Sequence, residues 1–128
     1  MKYISIIALF VSALIHLLPV SGVTGAAALR RLYAIEVVDA NTSILLRHRA
    51  LLFGLLGVVM LVAIGVPSIR VPVMAAALFS AASFIVVAMW VGGYNAALSR
   101  VIAADAVVSA LLAAGLVTEV FNDRIALT

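Results

Sequence analysis

Residues 71–91 read VPVMAAALFSAASFIVVAMWV, a stretch without a single charged side chain. An α-helix crosses a bilayer core about 30 Å thick with about 20 consecutive apolar residues, so this stretch is long enough to span a membrane. It lacks the two-residue alternation of a membrane β-strand. We therefore expect residues 71–91 to form a transmembrane helix.

Three further apolar blocks of similar length occur in the chain. Hydrophobic residues make up 67% of the sequence and charged residues 10%, whereas about 25% of the residues of a soluble domain are charged. A water-soluble fold of 128 residues could not bury so much apolar surface. The first block is longer than the core of a usual signal peptide, and we expect a span there rather than a cleaved leader. The sequence therefore predicts one all-α transmembrane domain with spans at residues 3–20, 44–66, 71–91 and 96–118.

The connections between the blocks predict how the helices are arranged. Pro67 and Pro72 bracket a short connection, and the Gly-Gly-Tyr-Asn sequence at residues 92–95 breaks the chain again. Connections this short make neighbouring helices antiparallel. The result is an up-down-up-down four-helix bundle with both termini on one side. Basic residues are shared too evenly between the two surfaces to determine which side faces the cytoplasm.

The longer break at residues 21–43 is expected to contain a short interfacial helix. Thr24 can cap its start, and Arg30 and Arg31 can reach lipid headgroups. Its apolar face would consist of Leu29, Leu32 and Tyr33. An aromatic belt at the same surface is expected from Tyr33, Trp90 and Tyr94. The cap of the second span is expected from Asn41, Thr42 or Ser43.

Ionisable side chains concentrate in one leaflet of this bundle. The end of the first span, the start of the second, the end of the third and the start of the fourth meet at one surface. The opposite leaflet is expected to hold almost nothing ionisable. Charges at membrane depth are costly and persist mainly when they are paired or functional. The candidate ligand-binding cluster is therefore His16, Arg47, His48, Arg49, Asn95, Arg100 and Asp105.

Asp105 lies too deep in the fourth span for its short side chain to reach headgroup water, so it needs a partner. It follows Arg100 by five positions, which turns the two side chains about 140° apart. Its partner is therefore expected on another helix. Arg47 shares a helical stripe with Gly54, a small residue suited to close helix contact, and is the first candidate. The alternatives are Arg49 and His48. Such a pair would be either structural or part of a binding site.

Small polar residues mark the expected inward faces of two spans. Ser5, Ser12 and His16 share one stripe on the first span. His16 lies near a helix end, where it can reach interfacial water, so His16→Leu is expected to leave the heat stability unchanged. The stripe on the third span is Ala76, Ser80 and Ser83.

Motifs of the common enzyme classes are absent from the sequence. There is no Gly-rich phosphate loop, no Gly-x-Ser-x-Gly elbow and no His-Glu-x-x-His. The lack of cysteine excludes disulfides and thiolate metal sites. No metal site or other cofactor is predicted, although a haem between His16 and His48 is one alternative. The eight basic residues are scattered among helix ends, so a nucleic acid partner is not predicted.

Residues 47–54, RHRALLFG, resemble a segment of small four-helix bacterial membrane proteins of the DoxX-like and domain-of-unknown-function groups. Some members are labelled phosphopantetheine adenylyltransferase, which implies a soluble α/β domain with a His-x-Gly-His motif that this chain lacks. The resemblance implies the bacterial inner membrane but no established activity. Quinone-coupled complexes of DoxX relatives keep a quinone among the candidate ligands. The resemblance covers most of the chain through residues 16–19, 32–33, 92–96, Arg100 and Asp105.

These observations predict a membrane protein without enzymatic activity. We expect an accessory subunit, or a binder of a lipid-like or small anionic molecule at the polar cluster. One alternative is a small transporter that acts as a dimer, although small multidrug exporters rely on an acid in the first helix and this first span has none. Another is a quinone-linked membrane redox subunit in which His16 or Asp105 handles protons. Besides the lipid bilayer, the expected partners are a second copy or a larger membrane complex.

Overall fold

The computed structural model describes the backbone of residues 2–126 and the side chains of residues 3–121, and within that range all regular structure is helical. Two short 3-10 helical segments, Leu18–Thr24 and Pro67–Ile69, lie in the connections. The α-helices are α1 (Lys2–Leu17), α2 (Ala26–Tyr33), α3 (Ala40–Gly65), α4 (Arg70–Val91) and α5 (Ala96–Ala126). The predicted all-α bundle, with a short helix between the first two spans, is confirmed.

Four helical segments in residues 3–121 are long and apolar enough to cross a membrane. Their mean hydropathies lie between 2.0 and 2.3. Large apolar side chains cover their outer surface, such as Phe79 at 75% and Trp90 at 87% exposure. Water-soluble monomers rarely expose apolar surface on this scale, whereas helices in a bilayer require it. The protein is an integral membrane protein.

The helix ends differ in detail from the expected caps. Thr24 does not cap α2, because its hydroxyl donates to the carbonyl of Ser21 at 2.8 Å. Gly25 precedes α2 instead, with a positive φ of 134° that a residue with a side chain rarely adopts. Asp39 caps α3, and its carboxylate accepts a hydrogen bond from the backbone N–H of Thr42 at 2.8 Å. Because the capping residue lies before Asn41, the helix of the second span begins at Ala40.

The four spans pack side by side in the order α3, α1, α5, α4. Helix α1 packs against both α3 and α5, and α4 packs mainly against α5. Leu9, Met60, Met74 and Leu112 fill the centre and are 0% exposed. Helices α3 and α4 contact each other much less. A cleft therefore separates two helices that are consecutive in the chain.

The structure confirms the predicted inward face of α1 but not that of α4. Ser5 and Ser12 on α1 are 0% exposed, as expected. The predicted inward stripe of α4 is wrong, since Ala76 is exposed and Ser80 and Ser83 are half-buried. This stripe turns away from α5, the main packing partner of α4. The face that does pack into the core consists of Met74, Ala77 and Ala81.

A buried ion pair lies in the leaflet that was expected to hold almost nothing ionisable. Arg70 and Glu119 approach to 3.3 Å, with side-chain exposures of 5% and 11%. The Nε of Arg70 donates to the carbonyl of Ala63 at 3.1 Å and its Nη2 to the carbonyl of Ile64 at 2.7 Å. Arg70 thus satisfies carbonyls at the end of α3 and neutralises a carboxylate on α5. The expectation for this leaflet is wrong.

Contacts at the two ends of the bundle establish the up-down-up-down arrangement. At one end, the hydroxyls of Ser5 and Thr118 lie 3.0 Å apart. At the other end, the Nδ2 of Asn95 donates to the carbonyl of Tyr33 at 2.9 Å. Reporters fused at residue 35 and after residue 128 are therefore expected on opposite sides of the membrane. Two reporters on the same side would contradict this topology.

Candidate functional site

A cavity of about 380 Å³ lies in the leaflet of the predicted cluster. The end of α1, the short helix α2, and the first halves of α3 and α5 enclose it. Apolar side chains such as Ile15, Leu32 and Phe53 form part of its lining. We call this space the polar cavity after its other lining residues, which are His16, Arg31, Tyr33, Arg49, Arg100 and Asp105.

Arg49 reaches the polar cavity from within the membrane span. It stands nine residues into α3, about 13 Å along the helix axis from Ala40. Its guanidinium carbon lies 4.7 Å from the ring centre of Phe84, 4.9 Å from that of Phe53 and 5.8 Å from that of Tyr33. Aromatic rings at these distances stabilise a cation by their quadrupoles. The charge is therefore held among rings rather than by a carboxylate.

Asp105 lines the same cavity from α5 and is 5% exposed. It also stands nine residues into its helix. It makes no contact with an arginine within ion-pair distance among the described side chains. Asp105 and Arg49 thus lie on one cavity without being joined directly. The ion pairs within residues 3–121 are Arg30–Glu36 and Arg70–Glu119.

The predicted pairing of Asp105 with Arg47 is wrong. Arg47 is exposed, and its Nε donates to the backbone carbonyl of Val23 at 2.8 Å. The stripe that Arg47 shares with Gly54 packs on the 3-10 helical segment after α1, since a Cβ on Gly54 would lie 2.8 Å from Val20. The small residue was interpreted correctly as a close contact, but its partner is not α5.

His16 is 2% exposed, so the expectation that it reaches interfacial water is wrong. The chain after α1 folds back and buries this end of the helix. The Nδ1 of His16 lies 2.9 Å from the carbonyl of Ser12. A carbonyl can only accept, so in the neutral ring the proton is on Nδ1 and Nε2 is an acceptor. Nε2 is buried and has no partner among the described residues.

Tyr33 is a member of the site rather than of the aromatic belt. It is 7% exposed and lines the polar cavity, whereas Trp90 and Tyr94 are 87% and 43% exposed. Burial raises the pKa of the Tyr33 phenol above its usual value. The charge of Arg49 opposes this rise in pKa, and that of Asp105 adds to it. The phenol therefore remains a neutral hydroxyl that can donate or accept.

The other predicted site residues lie at the edge of the cavity or outside it. Arg100 is exposed and lines the cavity, as does Arg31, which was expected only to anchor headgroups. His48 is exposed and does not line the cavity, so His16 and His48 do not share this site. Asn95 has a structural role, because its Oδ1 accepts from the N–H at residue 98 and caps α5.

A second cavity of about 360 Å³ lies in the cleft between α3 and α4. Arg49 and Phe53 line both cavities, so the two adjoin at these side chains. Leu52 and Val87 at the rim of the cleft are 51% and 53% exposed, which opens it toward the bilayer. The remaining lining residues are Leu56, Ser80, Ser83 and Phe84.

The α3/α4 cleft has few polar groups that could bind a ligand. The hydroxyl of Ser83 donates to the carbonyl of Ser80 at 3.0 Å, within its own helix. The other residues, apart from Arg49, are apolar. The charged cavity and the lipid-facing apolar cleft thus have Arg49 and Phe53 in common as lining residues.

No protein family, no curated protein and no solved structure gave a significant match to this chain. The resemblance to DoxX-like proteins therefore stays a prediction.

Proposed function

We propose that this protein binds an amphiphilic anion of the membrane. The anionic headgroup would occupy the polar cavity, and its hydrocarbon chain would lie in the α3/α4 cleft. The observation that carries this proposal is the position of Arg49, which among the described side chains is the one ionisable residue that lines both the charged cavity and the apolar cleft.

The charge of the polar cavity favours an anion. Arg31, Arg49 and Arg100 line it, against the single carboxylate of Asp105. Arginine binds phosphate and carboxylate oxygens through parallel hydrogen bonds. A volume of about 380 Å³ lies within the usual range of about 300–1,000 Å³ for ligand pockets. An uncharged quinone would leave the excess positive charge of these arginines over Asp105 without a counter-charge.

The shape of the cleft favours a ligand with a hydrocarbon chain. It opens through exposed Leu52 and Val87 toward the acyl chains of the bilayer. A lipid can therefore reach Arg49 sideways without leaving the membrane. Support for a dimer or a larger complex is weaker, because no residue of the polar cavity requires a second copy.

The bacterial inner membrane is part of the proposal. Transmembrane helices are typical of that membrane, whereas the outer membrane holds β-barrels. The resemblance to DoxX-like proteins supports the same location.

Arg49→Gln is expected to weaken the binding of dioleoylphosphatidylglycerol about tenfold to a hundredfold, the usual effect of losing hydrogen bonds to a charged group. The measurement is lipid titration of the purified full chain in detergent, followed by native mass spectrometry. Dioleoylphosphatidylcholine serves as the lipid without net charge. Arg47→Gln is the matched control, because Arg47 lies on the same helix, is exposed and does not line the cavity. We expect it to change binding less than about threefold.

Two results would contradict the proposal. Equal affinity of the parent protein for the two lipids would show that no anion site exists. An equal loss of affinity for phosphatidylglycerol in Arg49→Gln and Arg47→Gln would show a general effect of surface charge. The same spectra test the alternatives, since a bound quinone or haem would be detected by its mass and its absorption.

A further inference from the structure

We infer that the headgroup bound in the polar cavity carries hydroxyl groups beside its anionic group, as a polyol phosphodiester such as glycerol phosphate does. This inference rests on the proposed function and specifies its ligand class. It follows from the hydrogen-bond acceptors that line the cavity. An anion bound by arginine uses only hydrogen-bond donors of the protein and leaves these acceptors unpaired.

The polar cavity presents two kinds of group. Three arginines offer only donors, as described above. His16 and Asp105 offer acceptors, because the Nδ1 of His16 is engaged with the carbonyl of Ser12 and a carboxylate carries no proton to donate. Donors and acceptors therefore line one space of ligand size.

A bare anion would satisfy only the arginines. It would face the carboxylate of Asp105 and leave the Nε2 of His16 without a hydrogen bond. A buried acceptor without a partner is costly, and His16 is 2% exposed. A headgroup with hydroxyls would donate to both acceptors while its phosphate binds the arginines. The cavity is complementary to such a headgroup as a whole.

The lipid, rather than the free headgroup, is the inferred source of this chemistry. The polar cavity adjoins the α3/α4 cleft at Arg49 and Phe53, and that cleft is lined mostly by apolar side chains. A free polyol phosphate would leave the cleft unused. A phospholipid would fill it with an acyl chain.

The test compares dioleoylphosphatidylglycerol with dioleoylphosphatidylpropanol. The two lipids have the same chains, the same phosphodiester and the same charge, and they differ only in the headgroup hydroxyls. Titration of the purified full chain in detergent, read by native mass spectrometry, is expected to give phosphatidylglycerol about fivefold to tenfold higher affinity, the usual effect of one or two hydrogen bonds.

Variants of His16 test whether this side chain causes the preference for phosphatidylglycerol. His16→Leu removes the acceptor and should bring the affinity ratio of the two lipids toward one. His16→Gln should keep much of the preference, because its amide oxygen can reach the position of Nε2. His48→Leu is the matched control, since His48 is exposed outside the cavity. A full preference retained in His16→Leu would overturn the role of His16.

The outcomes separate this inference from the proposed function. Equal affinity of the parent protein for the two lipids overturns the inference, and this comparison needs no variant. If both lipids still bind more tightly than phosphatidylcholine and Arg49→Gln weakens their binding, the proposed function survives. If neither lipid binds more tightly than phosphatidylcholine, the proposed function fails too. Displacement of phosphatidylglycerol by millimolar glycerol 3-phosphate would overturn the lipid as the source of the headgroup.

Discussion

Glu119→Gln is expected to lower the free energy of unfolding by about 3–5 kcal/mol, the usual cost of leaving one buried charge without its partner. Arg70 and Glu119 are almost fully buried and 3.3 Å apart. Arg70→Gln should cost at least as much, because it also removes the hydrogen bonds to the carbonyls of Ala63 and Ile64. The measurement is thermal or denaturant-induced unfolding of the purified protein in detergent.

A double variant separates charge from hydrogen bonding in this pair. Arg70→Gln combined with Glu119→Gln should be less destabilised than the sum of the two single variants, since no unpaired charge remains. The matched control is the surface pair Arg30–Glu36, whose side chains are 66% and 76% exposed at 3.7 Å. Arg30→Gln should cost less than about 1 kcal/mol. If Glu119→Gln lowers the free energy of unfolding no more than this control does, the buried pair contributes little to stability.

Gly57→Leu is expected to destabilise the protein by about 3 kcal/mol, at the upper end of the usual cost of overpacking. A Cβ on Gly57 would lie 3.0 Å from the Cγ of Leu17 and 3.2 Å from the backbone carbonyl of Ala13. A backbone carbonyl cannot move aside as a flexible side chain can, so α1 and α3 must separate. The loss should appear as a lower melting temperature in detergent.

Gly65→Leu is the control for this substitution on the same helix. A Cβ on Gly65 would meet nothing within 4 Å. We expect Gly65→Leu to be within about 1 kcal/mol of the parent, because the new side chain points into open space. Equal stability of the Gly57 and Gly65 variants would contradict the close packing of α1 on α3.

The sequence was sufficient to predict the fold and the leaflet of the candidate site. Short connections require antiparallel spans, and this alone brings His16, Arg49 and Asp105 to one end of the bundle. The lengths of the apolar blocks predicted the spans to within a few residues. These features depend on bilayer thickness and chain geometry, which do not require knowledge of side-chain packing.

The choice between Arg47 and Arg49 could not be made from the sequence. Arg49 follows Arg47 by two positions, so the two side chains point about 160° apart, and helical phase does not show which of them faces α5. Gly54 marked a close contact, but a small residue does not identify its partner. That partner is the 3-10 segment at Val20, which has no periodic sequence signal. The three aromatic rings around Arg49 come from three different helices and share no motif.

The sequence did not predict the buried Arg70–Glu119 pair, because the end of the fourth span was placed before Glu119. The fourth span was expected to end at residue 118, which places Glu119 at the interface. Helix α5 instead runs to Ala126, so Glu119 remains packed within the bundle. Arg70 lies in the predicted connection between Pro67 and Pro72, and its side chain donates to the carbonyls of Ala63 and Ile64 at the end of α3. Unsatisfied carbonyls at helix C-termini could have indicated this position.

During synthesis, N-terminal segments leave the ribosome first. Helix α3 therefore enters the membrane with Arg49 before α5 exists to supply Asp105. Helix α4 follows, also ahead of α5, its main packing partner. Until α5 is translated, the nascent chain must accommodate an intramembrane guanidinium and a third span without its main packing partner. The polar cavity is consequently assembled only after the ribosome has completed α5.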